Sequence, residues 1–342
     1  MEKVRLGKTG LMVTKTAFGA LPIQRVTMAE AERILRKAYD AGINYYDTAN
    51  AYSDSEEKIG AAFAGLDRDT YVISTKTAGK DKKTVLKHIE NSLRMLKTDH
   101  IDLLQLHNPA ELPDPHDSEG VYAGVLAAKE KRYIAHIGLT NHSRERALAG
   151  AESGLYETIQ FPFSYLATDK EIALAERCRQ LDLGFICMKG LAGGLLTDAR
   201  ACFAFMQQYD WVVPIWGIQR ESELDEWIAL DRNPPVFTGE IAQLIEKDKK
   251  ELATSFCRSC GYCMPCPVGI DIKNAARMKQ FLRRQPMDPY MTEEYYAQMH
   301  KIENCLECGS CKSKCPYGLD TPSLLKENLI DYDQLYADYH SK

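Results

Sequence analysis

Residues Tyr71–His107 read YVISTKTAGKDKKTVLKHIENSLRMLKTDHIDLLQLH. An apolar, β-rich run (Tyr71–Lys76) precedes a helix-patterned stretch (Thr84–Leu96), and a second apolar run (Ile101–His107) follows. Apolar strands separated by a helix predict a parallel pair covered by helices, because strands of that composition must be buried. Each run ends on a residue that can ionise, Lys76 and His107.

The same alternation extends in both directions. Thr16–Gly19 and Asn44–Asp47 precede the quoted stretch, and Ile134–Leu139, Thr158–Phe161, Gly184–Met188 and Val212–Pro214 follow it. Helical patterns fall between them at Met28–Ala41, Glu119–Lys131, Ser143–Ser153 and Lys170–Leu181, the first stopping at Gly42. Val4–Thr14 reads as a hairpin turning at Lys8–Gly10. Eight such strands within residues 1–235 predict an α/β fold, a (β/α)8 barrel. A doubly wound sheet ranks second, since no G-x-G-x-x-G turn follows the first strand.

Asn233-Pro234-Pro235 marks the end of the barrel. A linking helix is expected within 236–256, a cysteine-rich module at 257–319 and a helical tail at 320–342. In the tail, Tyr332, Tyr336 and Tyr339 recur at helical spacing and are expected to pack on the barrel. The net charge of −5 offers no general attraction to nucleic acid or acidic membranes. No apolar run reaches the roughly 20 residues of a membrane span. With no signal-like start at MEKVRLGKTG, a cytoplasmic location is expected.

Three of the 11 cysteines (Cys178, Cys187, Cys202) are scattered and read as buried apolar residues. The other eight form two groups, C-R-S-C-G-Y-C-M-P-C-P from Cys257 and C-L-E-C-G-S-C-K-S-K-C-P from Cys305. Two-residue gaps let three thiolates of one tight loop face a small inorganic core. The second group has the C-x2-C-x2-C-x3-C-P spacing, in which the fourth cysteine serves the other cluster. By that rule Cys257, Cys260, Cys263 and Cys315 hold one [4Fe–4S] cluster. Cys305, Cys308, Cys311 and Cys266 hold the other, although Cys266 follows Cys263 by one residue fewer than the rule requires. Structural zinc is the alternative, but it pairs two C-x2-C knuckles and does not use triplets with Cys-Pro. The intervening 267–304 segment reads as helical, so the module resembles helical two-cluster ferredoxin domains.

In the barrel, Asp47, Lys76 and His107 end strands and Tyr52 follows in DTANAYSDSEEKIG, on the face where barrel active sites are built. Across residues 1–230 the sequence resembles the aldo-keto reductase family, through D-x4-Y followed by S-E, the strand-end Lys and L-x-L-H-x-P. The resemblance implies an Asp47, Tyr52, Lys76, His107 tetrad that reduces a small carbonyl or oxidises an alcohol with NAD(P)H. Tyr52 would donate the proton, Lys76 would lower its pKa, Asp47 would aim Lys76, and His107 would orient the substrate oxygen. It also implies Thr140, Asn141 and Gln160 as holders of the nicotinamide carboxamide, with Met188 where an aromatic usually stacks. Gly217, Gln219, Arg220 and Glu226 would line the adenosine phosphate end. Trp216 and Trp227 depart from the family there, and Glu223 stands where many members have Arg. NAD(H) against NADP(H) stays open, with Arg220 tipping the expectation towards NADP(H).

The clusters are expected to serve a separate one-electron partner, such as a ferredoxin-like protein. Two rival readings accompany this one. One is a nucleotide-sensing regulatory barrel, and the other a barrel whose clusters are purely structural.

Overall fold

The structure, a computed structural model, describes residues 1–252, 256–284, 286–315 and 317–341. The chain divides into two compact units. The first comprises Met1–Gly190 with Ala199–Phe237, and the second Leu191–Asp198 with Thr238–Lys342.

The first unit is the expected (β/α)8 barrel. A hairpin, β1 (Lys3–Arg5) and β2 (Met12–Thr14), precedes eight strands: β3 (Ala17–Gly19), β4 (Tyr45–Asp47), β5 (Val72–Thr77), β6 (Ile101–His107), β7 (Ile134–Thr140), β8 (Thr158–Pro162), β9 (Gly184–Met188) and β10 (Val212–Gly217). These eight close as a parallel barrel in chain order, β10 pairing with both β9 and β3. The helices between them are α1 (Met28–Asp40), α2 (Ser55–Ala62), α3 (Lys82–Leu96), α4 (Val121–Glu130), α5 (Arg144–Glu152), α6 (Asp169–Gln180), α7 (Ala199–Gln207) and α8 (Glu221–Arg232). Helix α1 starts on a capping box, Thr27 with Glu30, and buries the expected face of Ala31, Ile34, Leu35 and Ala38. Gly42, at φ +99°, supplies the left-handed turn into β4.

The lumen alternates along each strand. Tyr45, Val72, Leu103 and Ile186 join Leu6 and Val13 of the hairpin in one apolar cluster near the strands' starts. That packing fills the N-terminal end, so the polar positions one or two steps later gather towards the C-terminal mouth. Strand β10 runs three residues beyond the expected Pro214, because Trp216 is buried and stacks on Trp227 of α8 with centroids 3.9 Å apart. Cys178, Cys187 and Cys202 are buried, as expected.

The second unit is helical: α9 (Gly239–Leu252), α10 (Ile272–Ala275), α11 (Met278–Leu282), α12 (Glu293–His300), α13 (Ser310–Ser313) and α14 (Thr321–His340). Its core joins Ile270, Ala276, Met299, Ile302, Leu325 and Tyr332. The tyrosine stripe of α14 packs inside this unit, which corrects the expected contact with the barrel. Tyr332 donates to the Tyr290 carbonyl at 2.6 Å, and Tyr336 meets the Tyr296 ring at 4.5 Å. Among the described residues no helix is long and apolar enough to cross a membrane.

Candidate active site and cysteine module

Period-two alternation brings Asp47, Ser74, Lys76 and Gln105 together in the lumen. Asp47 is 2% exposed and Lys76 is 1% exposed, so their ion pair is fully desolvated. Lys76 Nζ donates to Asp47 Oδ1 at 2.5 Å and to the Thr48 carbonyl at 2.5 Å. The other Asp47 oxygen, Oδ2, accepts from Ser74 Oγ at 2.5 Å and Gln105 Nε2 at 3.0 Å, while Gln160 Nε2 adds a longer contact to Oδ1 at 3.5 Å. A buried carboxylate with so many donors is a rigid anchor for the ammonium.

Lys76 also hydrogen-bonds Tyr52 and lies 5.1 Å from its ring centre. Burial pulls the Lys76 ammonium down, but Asp47 and Tyr52 outweigh it and the net shift is upward. Burial raises the Tyr52 phenol, and Lys76 opposes that shift in the expected direction without reversing it. Tyr52 is therefore protonated at neutral pH, in the form that can donate. The ring of His107 stands edge-on to it, with centroids 5.7 Å apart. Burial, helped by Lys76, depresses His107 from 6.5 to about 3, so the imidazole is neutral.

That depression has a testable sign. The unfolded chain takes up a proton at 6.5 that folded His107 refuses until about 3. Stability linked to His107 is thus complete above that window and is lost as pH falls through it. The thermal midpoint should drop between pH of about 7 and about 5, and less so in His107→Gln. An equal drop in both proteins would show that His107 is not buried neutral. His142, depressed by burial and by Lys189, contributes in the same direction.

The expected cofactor residues divide. Thr140 donates to Met188 Sδ at 3.9 Å, so these two share one edge of the mouth. Gln160 is buried beside Asp47, and its Oε1 has no partner among the described residues. Asn141 braces the β7–α5 turn, its amide donating to the Pro109 carbonyl at 3.0 Å and its Oδ1 accepting from Ser143 N at 2.8 Å. At the start of α8, Glu223 folds back as a cap. Its Oε2 accepts from the backbone N–H of Gln219 at 2.9 Å and of Arg220 at 3.1 Å. Its Oε1 lies 3.4 Å from Arg220 Nε. Gly217 and Glu226 are exposed near the same turn.

Sequence reasoning missed Ser74 and Gln105, and it placed Glu223 without its role as a helix cap. The signal for the first two was available: Val72, Ser74 and Lys76, like Leu103, Gln105 and His107, share one face of a strand. A polar residue between two inward-facing ones must itself face the lumen.

In the second unit the two cysteine groups interleave. One cavity is lined by Cys263, Cys266, Cys305, Cys308 and Cys311. Cys257 interacts electrostatically with Cys260 and with Cys315 of the other group. Burial raises the thiols of Cys257, Cys263 and Cys311, as expected of sulfurs that face a shielded interior. Cys263 and Cys266 of the first group thus line one cavity with Cys305, Cys308 and Cys311 of the second, and Cys315 of the second lies near Cys257 of the first.

Residues 13–218 match the model of the Aldo/keto reductase family. The chain belongs to that family. It is therefore an oxidoreductase. Residues 256–320 match a 4Fe-4S dicluster domain, which makes the cysteine module an iron–sulfur domain appended to the reductase barrel. The chain is 32% identical over 224 residues to the uncharacterized oxidoreductase YrpG of Bacillus subtilis, spanning 57% of this chain and 68% of that one. It is 35% identical over 217 residues to L-galactose dehydrogenase of Arabidopsis thaliana, spanning 58% and 68%. The solved aldo-keto reductase AKR11C1 of Bacillus halodurans superposes with a TM-score of 0.62 over 72% of this chain and 96% of that one. At 20% identity that likeness speaks for the fold alone.

Proposed function

We propose that the barrel reduces a small carbonyl compound, or oxidises the matching alcohol, with Tyr52 as the proton donor. The observation that carries this reading is the chain of buried contacts from Asp47 through Lys76 to the protonated Tyr52, which stands beside a neutral His107. His107, being neutral, has one N–H that can donate to the substrate oxygen. As negative charge grows on that oxygen, Tyr52 passes it a proton. Lys76, kept charged by Asp47, then stabilises the phenolate left behind. The low dielectric of the buried pair strengthens each of these contacts.

The second substrate in this reading is a nicotinamide nucleotide, which supplies the hydride when bound. The unpartnered Gln160 Oε1 suits a carboxamide N–H, and Thr140 and Met188 stand along the same edge. Asn141 would act through the turn it braces. Gly217, Gln219, Arg220 and Glu226 would line the adenosine end. There the Glu223 carboxylate already satisfies the two backbone N–H groups and faces Arg220. A 2′-phosphate would have to displace one anion with another, so the Arg220-based expectation of NADP(H) yields to NAD(H). Glu223→Ala should then improve the NADPH to NADH ratio in kcat/KM by roughly tenfold, the worth of one charge-assisted hydrogen bond. An unchanged ratio would place the discriminating contact elsewhere.

The iron–sulfur domain would hold two [4Fe–4S] clusters, one on Cys257, Cys260, Cys263 and Cys315, the other on Cys266, Cys305, Cys308 and Cys311. Such clusters move single electrons, so a one-electron protein of ferredoxin type is the partner this module fits. Cys308 is exposed and its neighbour Leu306 is 66% exposed, which leaves that edge open to such a partner. Steady-state assays of benzaldehyde and short-chain aldehydes with each nucleotide test the barrel's part. Absence of turnover with every aldehyde, in protein that binds nucleotide, would refute it.

A further inference from the structure

Two arginines of the second unit, the buried Arg277 and the half-buried Arg284, reach the backbone of its Leu191–Asp198 segment, and they differ in one respect. Arg284 donates to the Leu195 carbonyl at 3.0 Å and is neutralised by Asp248 at 2.8 Å and Glu251 at 2.7 Å. Arg277 is 4% exposed and donates through Nη2 to the Gly193 carbonyl at 2.9 Å, with Ala192 at 3.5 Å. Its guanidinium rests on the Phe281 ring at 5.0 Å. Among the described residues no carboxylate pairs with it, and its Nε–H has no acceptor. Gly193, at φ +67°, would place any Cβ 3.0 Å from Arg277 Nη1, so the approach depends on glycine there.

A buried cation without a counter-charge is strongly destabilising unless something compensates it. Cys257 packs in the same core as Ala276 and Met278, the residues on either side of Arg277. Arg277 has two electrostatic partners, Cys257 and Tyr290, and of these Cys257 belongs to the cluster loop. A four-iron core held by four thiolates is anionic and presents sulfur acceptors.

We propose that Arg277 is the counter-ion of the cluster held by Cys257, Cys260, Cys263 and Cys315, and that it ties this cluster to the Leu191–Asp198 segment. The inference rests on the two-cluster reading above. Arg277 acts as a positioning residue: its unpartnered Nε–H is the donor left for the cluster, while its Nη2 holds the Gly193 and Ala192 carbonyls. The segment continues directly from β9, which carries Met188 near its end. Loss of the cluster would leave Arg277 uncompensated and release that segment.

The test uses the full chain prepared anaerobically. Iron, sulfide and spin-resonance counts first establish two clusters, and their failure would remove the cluster reading itself. Given two clusters, Arg277→Gln should move the potential of one of them to a more negative value, because a positive charge and a donor to sulfur are lost. The affected cluster should be the one that Cys257→Ser removes, the other keeping its potential. Amide hydrogen exchange at Leu191–Asp198 should quicken on the order of tenfold, as for loss of one hydrogen bond. Stripping iron from the wild type should quicken it as much, and stripping it from Arg277→Gln should add nothing. Arg277→Lys, which keeps charge but not the fork, should hold the potential and still loosen the segment. Unchanged potentials in Arg277→Gln, or an exchange rate indifferent to iron in the wild type, would overturn the proposal. The wild-type measurement decides even where the glutamine variant does not accumulate.

Discussion

Tyr52→Phe is expected to lose carbonyl reduction by roughly 10²–10⁴ in kcat, the usual worth of a positioned general acid. Nucleotide affinity should stay within about twofold, since the phenol is the proton donor and not a nucleotide contact. The substitution is conservative where it needs to be. A phenylalanine ring keeps the edge contact with His107 and the face presented to Lys76. Lys76 keeps its bonds to Asp47 and the Thr48 carbonyl, so the anchor stays satisfied. What disappears is one hydroxyl. Turnover at more than a tenth of the wild-type rate would show that another group supplies the proton.

The second large effect concerns the iron–sulfur domain. Single Cys→Ser changes should fall into two classes that cut across the two sequence groups. Cys315→Ser should remove the same spin-resonance signal as Cys257→Ser, and Cys266→Ser the same as Cys308→Ser. Each class should lose about half of the iron of a two-cluster protein. The basis is spatial: Cys266 shares a cavity with Cys305, Cys308 and Cys311, while Cys315 interacts with Cys257. If Cys266→Ser behaved instead like Cys260→Ser, each group would serve its own cluster and the interleaving would be wrong. That result would also explain the short Cys263–Cys266 gap as a local four-cysteine loop.

The barrel could be read from the sequence because its signal repeats. Eight apolar runs at regular spacing, separated by helical patterns, admit few architectures, and Asp47, Lys76 and His107 sit at the ends of three of those runs. The hairpin was equally legible, from the turn at Lys8–Gly10. What could not be read depends on contacts distant in sequence. Nothing local says that Trp216 stacks on Trp227 and so lengthens β10. The tyrosine stripe of α14 advertised a buried face but not its partner, which is the 290–296 region of its own unit. Glu223 looked like a missing arginine, whereas its use as a helix cap needs the α8 start to be placed first. Leu191–Asp198 reads as a loop of the barrel, yet its backbone carbonyls are held by Arg277 and Arg284 of the iron–sulfur unit. Gln105 was the avoidable omission, since period two along IDLLQLH put it on the face of His107.

On the proposed function, reduction in the barrel is a hydride transfer, separate from the single-electron chemistry of the clusters. The most direct test is an anaerobic single turnover of the cluster-loaded protein with benzaldehyde and nucleotide deuterated at the transferring position, read by the mass of the alcohol product. Hydride transfer moves that deuterium as a unit to the former carbonyl carbon, whereas stepwise electrons delivered through the clusters would draw hydrogen from solvent. One deuterium per product molecule is expected, and little product at all from Tyr52→Phe on the same timescale. Alcohol formed at the wild-type rate without deuterium would contradict it.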